Sequence, residues 1–158
     1  MTSIPTVEGG LYLATRLDAY SRRSVGWART QQLRTELALE ALTMARQRRR
    51  PLLGQPVQPS DHGGPYTARA EQAVLDAHGG RCAMSRAGDR YDKTLAERCF
   101  GTLKAERVHG QRWPSRRVPR RAIFAWIEVF YNRQRRHSAL GYSSPAGFEA
   151  GRTEPLVA

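Results

Sequence analysis

Two carboxylates stand out by their surroundings. Asp61 precedes the glycine-rich turn His62-Gly63-Gly64-Pro65, and Glu97 sits inside an amphipathic helical stretch, with 35 residues between them. Carboxylates supplied by two separate elements are the ordinary way to hold a hard cation such as Mg²⁺, because such ions demand oxygen ligands. Spacing alone selects nothing here, since the chain has 14 acidic residues to choose from. Local context has to decide.

The glycines after Asp61 allow backbone conformations that a Cβ forbids, so the carboxylate is expected at the end of a strand, facing a cleft. Glu97 is expected on the second turn of a helix that Asp92 could cap. Leu95, Cys99 and Leu103 recur every four residues with Ala96 and Phe100 beside them, which defines a buried stripe. At about 100° per residue, Lys93 falls roughly 40° and Lys104 roughly 20° from Glu97 around the axis. An acid between two lysines therefore runs along one edge of the apolar arc. On an arbitrary helix such charges are a solvated face with ordinary charge pairs.

The elements that must position these residues can be read in order. Residues 2–6 are extended, Glu8-Gly9-Gly10 is a hairpin turn, residues 11–17 form a strand, residues 18–23 a polar turn, and residues 24–28 a third strand. Tight turns between them predict an antiparallel meander. A helix follows over residues 35–48, with Thr35 as its N-cap and the arginines of residues 46–50 as a solvated, dipole-favoured end. Residues 51–59 should be the strand that delivers Asp61, although Pro51, Pro56 and Pro59 each remove a ladder donor. A helix over 66–78 is closed by Gly79-Gly80, a short strand covers 81–84, and residues 85–91 form a linker into the Glu97 helix. Trp113-Pro114 packs a turn. Residues 119–135 form the last long helix, with Ile123, Ile127 and Phe130 inward, Phe124 and Tyr131 reinforcing them, and Trp126 in the core. Arg133, Arg135, Arg136 and His137 close that helix as a basic cluster, and residues 139–148 fold back as a tail.

Composition narrows the class. The length suits one domain, residues 1–150, followed by a loose tail over 151–158. The net charge of +12 implies a polyanionic partner. All of the 26 basic residues except Lys93 and Lys104 are arginine. No apolar run approaches the ~20 residues of a membrane span, so no membrane partner is expected. Cys82 and Cys99 lack metal-ligand spacing and read as small buried thiols, which fits a cytoplasmic chain. Strands followed by alternating helices and strands describe an α/β or α+β domain.

Three stretches carry a more specific signal: PSDHGGPYTA around Asp61, GDRYDKTLAERCFGTLKAERVHG around Glu97, and AIFAWIEVFYNRQRRHSALGYSSPAGFEA at the end. Together they resemble the catalytic core of bacterial transposases of the insertion sequence three family, a core of the retroviral integrase type. The resemblance implies a ribonuclease H-like α/β fold, with a mixed sheet in which an antiparallel meander precedes parallel strands, flanked by helices. It implies DNA as partner, with element ends and target, and further transposase subunits. Asp61 and Glu97 match the second and third acids of that family's D-D-E triad. They would then hold a pair of Mg²⁺ (or Mn²⁺) ions for phosphoryl transfer, with Lys104 on a DNA phosphate near the cut. Lys93, Arg133, Arg135 and Arg136 are the further DNA-binding candidates.

The family's first aspartate lies in an Asp-Ile-Thr-Tyr-like segment just before the residues matched by Thr2-Ser3-Ile4-Pro5-Thr6. Residues 1–158 do not include it, so this chain is expected to be N-terminally truncated and inactive alone. Asp18 is no substitute, because the family has an acid there, in an Asp-x-x-Ser-Arg-Arg turn, without a catalytic role. Pro59 replaces the family's usual histidine before Ser60-Asp61, and Lys93 its usual asparagine after Asp92. Two other readings exist. One is a non-catalytic DNA-binding remnant that interferes with intact transposase. The other is a standalone ribonuclease H-like nuclease, which the C-terminal signature argues against.

Overall fold

The computed structural model describes residues 1–49 and 88–153, with side chains for residues 1–49 and 94–151. The strand expected at 51–59, the helix at 66–78 and the strand at 81–84 lie outside these residues.

The alternation of apolar residues in the first thirty positions produces a three-stranded antiparallel sheet in the order β1 (Thr2–Ile4), β2 (Leu11–Leu17), β3 (Ser24–Thr30). Thr2 pairs with Leu13 and Ile4 with Leu11, while Ala14 pairs with Ala28 and Thr15 with Trp27. The meander is as the turns predict. Side chains alternate between faces, so each face is covered separately. Tyr12, Ala14 and Ala28 meet helix α1 (Thr35–Arg49) through Leu37 and Ala41. Ile4, Leu11, Leu13 and Trp27 meet the second helix layer on the opposite face. The result is three layers, with the sheet in the middle.

Helix α1 approaches β3 closely because residue 26 is glycine. A Cβ there would lie 2.1 Å from the Ala41 carbonyl oxygen and 2.6 Å from the Ala45 nitrogen. The arginine end of α1, expected to be solvated, is tied down instead. Arg48 pairs with Glu128 at 2.7 Å, and Arg49 pairs with Asp18 at 2.7 Å and also with Glu149. Those acids come from three distant points of the chain, which no local pattern reveals.

The second layer holds helix α2 (Gly88–Leu103), running on as a π-helical turn over Lys104–Val108, and helix α3 (Arg117–Ala125), running on as a π-helical stretch over Trp126–Tyr131. Helix α2 begins at Gly88, so Asp92 lies within the helix rather than capping it, and residues 88–91 are not linker. The π stretch changes which residues face inward. Trp126 and Tyr131, and likewise Ile127 and Asn132, are buried at a spacing of five, the π hydrogen-bond period. Phe130 is half-buried and packs against the core as expected, whereas Phe124 is exposed, although it sets an edge against Trp27 with centroids 6.0 Å apart.

Asn132 closes the sheet edge. Its amide oxygen accepts from the Ser24 N–H at 2.8 Å and its amide nitrogen donates to the Ser24 carbonyl at 3.0 Å, in the buried interior beside the irregularity at Arg16/Leu17. The last described element is helix α4 (Pro145–Thr153), where a folded-back tail was expected. Ser144 starts it: its hydroxyl accepts from the Gly147 N–H at 3.2 Å, and Pro145 occupies a first-turn position that needs no N–H. Arg23 holds α4 to the β2–β3 turn through Glu149 at 2.5 Å.

Gly26→Ala is expected to lower stability by about 1–3 kcal/mol in urea unfolding, because α1 must move away from β3; a change within experimental error would show that the approach is not tight. A second outcome concerns acid. Burial raises the Glu128 pKa, but hydrogen bonds from Arg48 and the Trp27 indole, with the charges of Arg48 and Arg23, outweigh it and leave the carboxyl below its ordinary range. A lowered folded pKa adds stability that is present above the unfolded value and is lost as pH falls through the folded one. Stability should therefore drop below about pH 4.5, and Glu128→Gln should flatten that part of the profile.

Candidate active site

Helix α2 is fixed by one side. Leu95, Ala96, Cys99, Phe100 and Leu103 are all buried, as the four-residue repeat predicts, and four of them join the core with Ile4, Leu11, Leu13 and Trp126. Burial pushes the Cys99 thiol up to about 12, against opposing contributions from the Tyr131 hydroxyl and Arg135, so it is an inert packing residue.

Glu97 stands exposed on the other side of the helix, with no hydrogen bond or ion pair among the described residues. Its oxygens are therefore available to a ligand as far as these residues show. Lys104 is half-buried at the α-to-π junction, where its carbonyl accepts from the His109 N–H at 2.7 Å, an i→i+5 bond. Such single π turns are frequent at functional sites. Helix α2 thus presents Glu97 and Lys104 together. Asp61 lies outside the described residues, and of Lys93 only the helical backbone is described. No group of three or more His, Cys, Asp or Glu able to hold a metal occurs among the described residues.

The C-terminal arginines separate into two kinds. Arg133 and Arg136 are exposed, whereas Arg135 forms an ion pair with Glu106. Glu106, which sequence reasoning passed over, also accepts from the Trp126 indole N–H at 2.8 Å. It joins the π turn after α2 to the π stretch after α3. A signal for it existed only in the presence of a core tryptophan, whose N–H requires an acceptor. Asp18 is occupied in the β2–β3 turn, accepting from the N–H groups of Tyr20 at 2.9 Å and Ser21 at 3.0 Å besides its pair with Arg49.

Helix α2 thus carries an exposed acid and a lysine and is braced against an antiparallel meander covered on both faces. Comparison with known proteins makes this specific. Residues 1–90 match the family described as Integrase core domain, and residues 78–145 match a second family with the same description. The chain belongs to the integrase core domain family, which implies a ribonuclease H-like fold. It is 38% identical over 149 residues to the transposase for insertion sequence element IS904 of Lactococcus lactis, covering 94% of this chain and 58% of that protein. It is 41% identical over 149 residues to transposase InsF for insertion sequence IS3A of Escherichia coli, covering 94% of this chain and 51% of that protein. The resemblance to insertion sequence three transposases is thereby established, and the chain spans about half the length of these relatives.

Replacing Glu106 by Ala should destabilise the chain by about 1–3 kcal/mol, since the Trp126 N–H is left without its acceptor. Glu106→Gln, which keeps an acceptor oxygen, should cost less. Equal losses for the two variants in urea unfolding would refute this account of Glu106.

Proposed function

We propose that this chain is the catalytic core of a DNA transposase and works on the phosphodiester backbone. What supports this best is the edge of α2 that holds Glu97 and Lys104, in a chain of net charge +12 whose residues 1–145 match the integrase core domain. In the reaction, a water or 3′-hydroxyl oxygen forms a new bond to phosphorus, the old P–O bond breaks, and the departing oxygen takes a proton. Asp61 and Glu97 are the carboxylates that would hold Mg²⁺ or Mn²⁺. When bound, such ions would activate the attacking oxygen and stabilise the leaving one.

The remaining residues position DNA. Lys104, and Lys93 on the same helix, would meet phosphates close to Glu97; contacts of this kind orient the duplex without reading its sequence. Arg133 and Arg136, exposed beyond the π stretch, would extend the backbone contact, with Arg135 sharing its charge with Glu106. Parallel strands bringing Asp61 towards Glu97, and further transposase subunits around the DNA ends, belong to the same reading.

Within residues 1–158 only two of the family's three acids are found. The purified polypeptide should therefore neither cut nor join element-end DNA in Mg²⁺ or Mn²⁺, while still retarding duplex DNA in a salt-dependent manner. Strand transfer by this polypeptide that vanishes in Glu97→Gln would overturn the expectation of inactivity. Absence of duplex binding at low salt would remove DNA as the partner. Binding without chemistry even when an Asp-Ile extension precedes Thr2 would favour a DNA-binding module over a catalytic core.

A further inference from the structure

We infer that α2 carries a second phosphate site on the flank opposite Glu97, a cleft of about 480 Å³ walled by Arg22, Arg98, Arg135 and His137 that takes a backbone phosphate of bound DNA. The inference rests on DNA being the partner, and adds to that reading where the strand is gripped away from the reacting edge. Counting about 100° per residue, Lys104 lies roughly 20° to one side of Glu97, whereas Arg98 and Thr102 lie roughly 100° and 140° to the other. Neither Lys104, Arg133 nor Arg136 lines the cleft. It is a separate place.

Three elements converge on it: the β2–β3 turn with Arg22, helix α2 with Arg98 and Thr102, and the segment after the π stretch with Arg135, His137 and Ser138. Acidic residues do not appear in its lining. Arg135 is paired with Glu106. Arg22, Arg98 and Arg135 each bring a guanidinium to the lining, and partial enclosure strengthens their attraction for an anion. The Arg98 side chain is exposed and makes no hydrogen bond or ion pair among the described residues.

Arg22 is held at φ 61°, in the left-handed region that asparagine or glycine occupies at lower cost, so the turn tolerates strain while placing an arginine in the cleft wall. The His137 Nε2 is closed off and without a hydrogen-bond partner, so the ring senses an anion in the cleft through charge rather than through that atom. Its ring meets the Tyr131 ring edge-on at 5.3 Å, which fixes its plane. Burial first, and then the charges of Arg135 and Arg22, hold the imidazole below its ordinary pKa. A phosphate among Arg22, Arg98 and Arg135 would offset those charges and raise it. Cys99 and Tyr131 line the cleft, and both are held protonated by burial, so they add no charge at neutral pH. Guanidinium forks, a Ser138 hydroxyl and an imidazole arranged around one space suit a tetrahedral phosphate with several acceptor oxygens.

The test follows the His137 ring by NMR in the 158-residue chain, assigned with His137→Gln, during titration with a short DNA duplex and, separately, with inorganic phosphate. The duplex should shift the His137 resonances and raise its pKa. Arg98→Ala should weaken duplex binding about 3- to 10-fold at low salt and reduce the slope of log affinity against log salt by about 1. Arg98→Glu should weaken it further, with the urea midpoint of both variants unchanged. If the duplex binds while His137 and the Arg98→Ala slope stay where they were, the cleft is not a DNA site and the proposed function survives. If no duplex binds, both fall together. A response to inorganic phosphate without one to the duplex marks a small-ion pocket and overturns the inference.

Discussion

The carboxylate of Glu106 is the point on which the second helical layer depends. Trp126 is almost completely buried, and a buried indole needs an acceptor for its N–H. Glu106 supplies it at 2.8 Å while also pairing with Arg135. Helix α2 carries Glu97 and Lys104; the run from α3 to His137 carries the basic cluster. Without a shared anchor, the apolar contacts between these two runs would permit small rotations, because hydrophobic packing is non-directional. A hydrogen bond at a defined atom removes that freedom. Asn132 does the same one step further on, holding both backbone groups of Ser24 and so linking the helical layer to the sheet.

Electrostatics divides the arginines by task. A chain of net charge +12 repels itself, and the structure relieves part of that repulsion through ion pairs. Arg48, Arg49 and Arg23 are matched to Glu128, Asp18 and Glu149, which fasten α1, the β2–β3 turn and α4 to one another. Arg98, Arg133 and Arg136 are left on the helical layer without such partners among the described residues. Helix α2 is thus bounded by charge on two flanks, one with Glu97 and Lys104, the other with Arg98 above the cleft. The paired arginines fasten the fold, whereas Arg98, Arg133 and Arg136 are exposed.

Much of this was legible beforehand where the signal is local. The meander could be read from turn residues and alternation, and α2's buried stripe from Leu95, Cys99 and Leu103. The family could be read from long stretches of text around Asp61, Glu97 and the C-terminal end. Helix starts were less legible: α2 opens at Gly88 and α4 at Pro145, although Ser144-Pro145 has the chemistry of a helix start. Phe124 was misplaced, being 51% exposed on α3, whereas Phe130 packs half-buried against the core as its place in the stripe predicts. The partners of Arg48 and Arg49 were invisible, since ion pairs across 80 and 100 residues leave no trace in spacing.

The sequence by itself determined the three strands of the meander, the helix over residues 35–48 and the buried stripe of α2. Those properties follow from backbone sterics and side-chain periodicity, which act over a few residues. Tertiary structure alone decided which arginines are neutralised, where the π turns rotate the inward face, and that Arg22, Arg98, Arg135 and His137 meet around one cleft. Each of those outcomes is a choice among partners far apart in the chain. Electrostatic and packing energies depend on distance in space, and only the folded arrangement sets those distances.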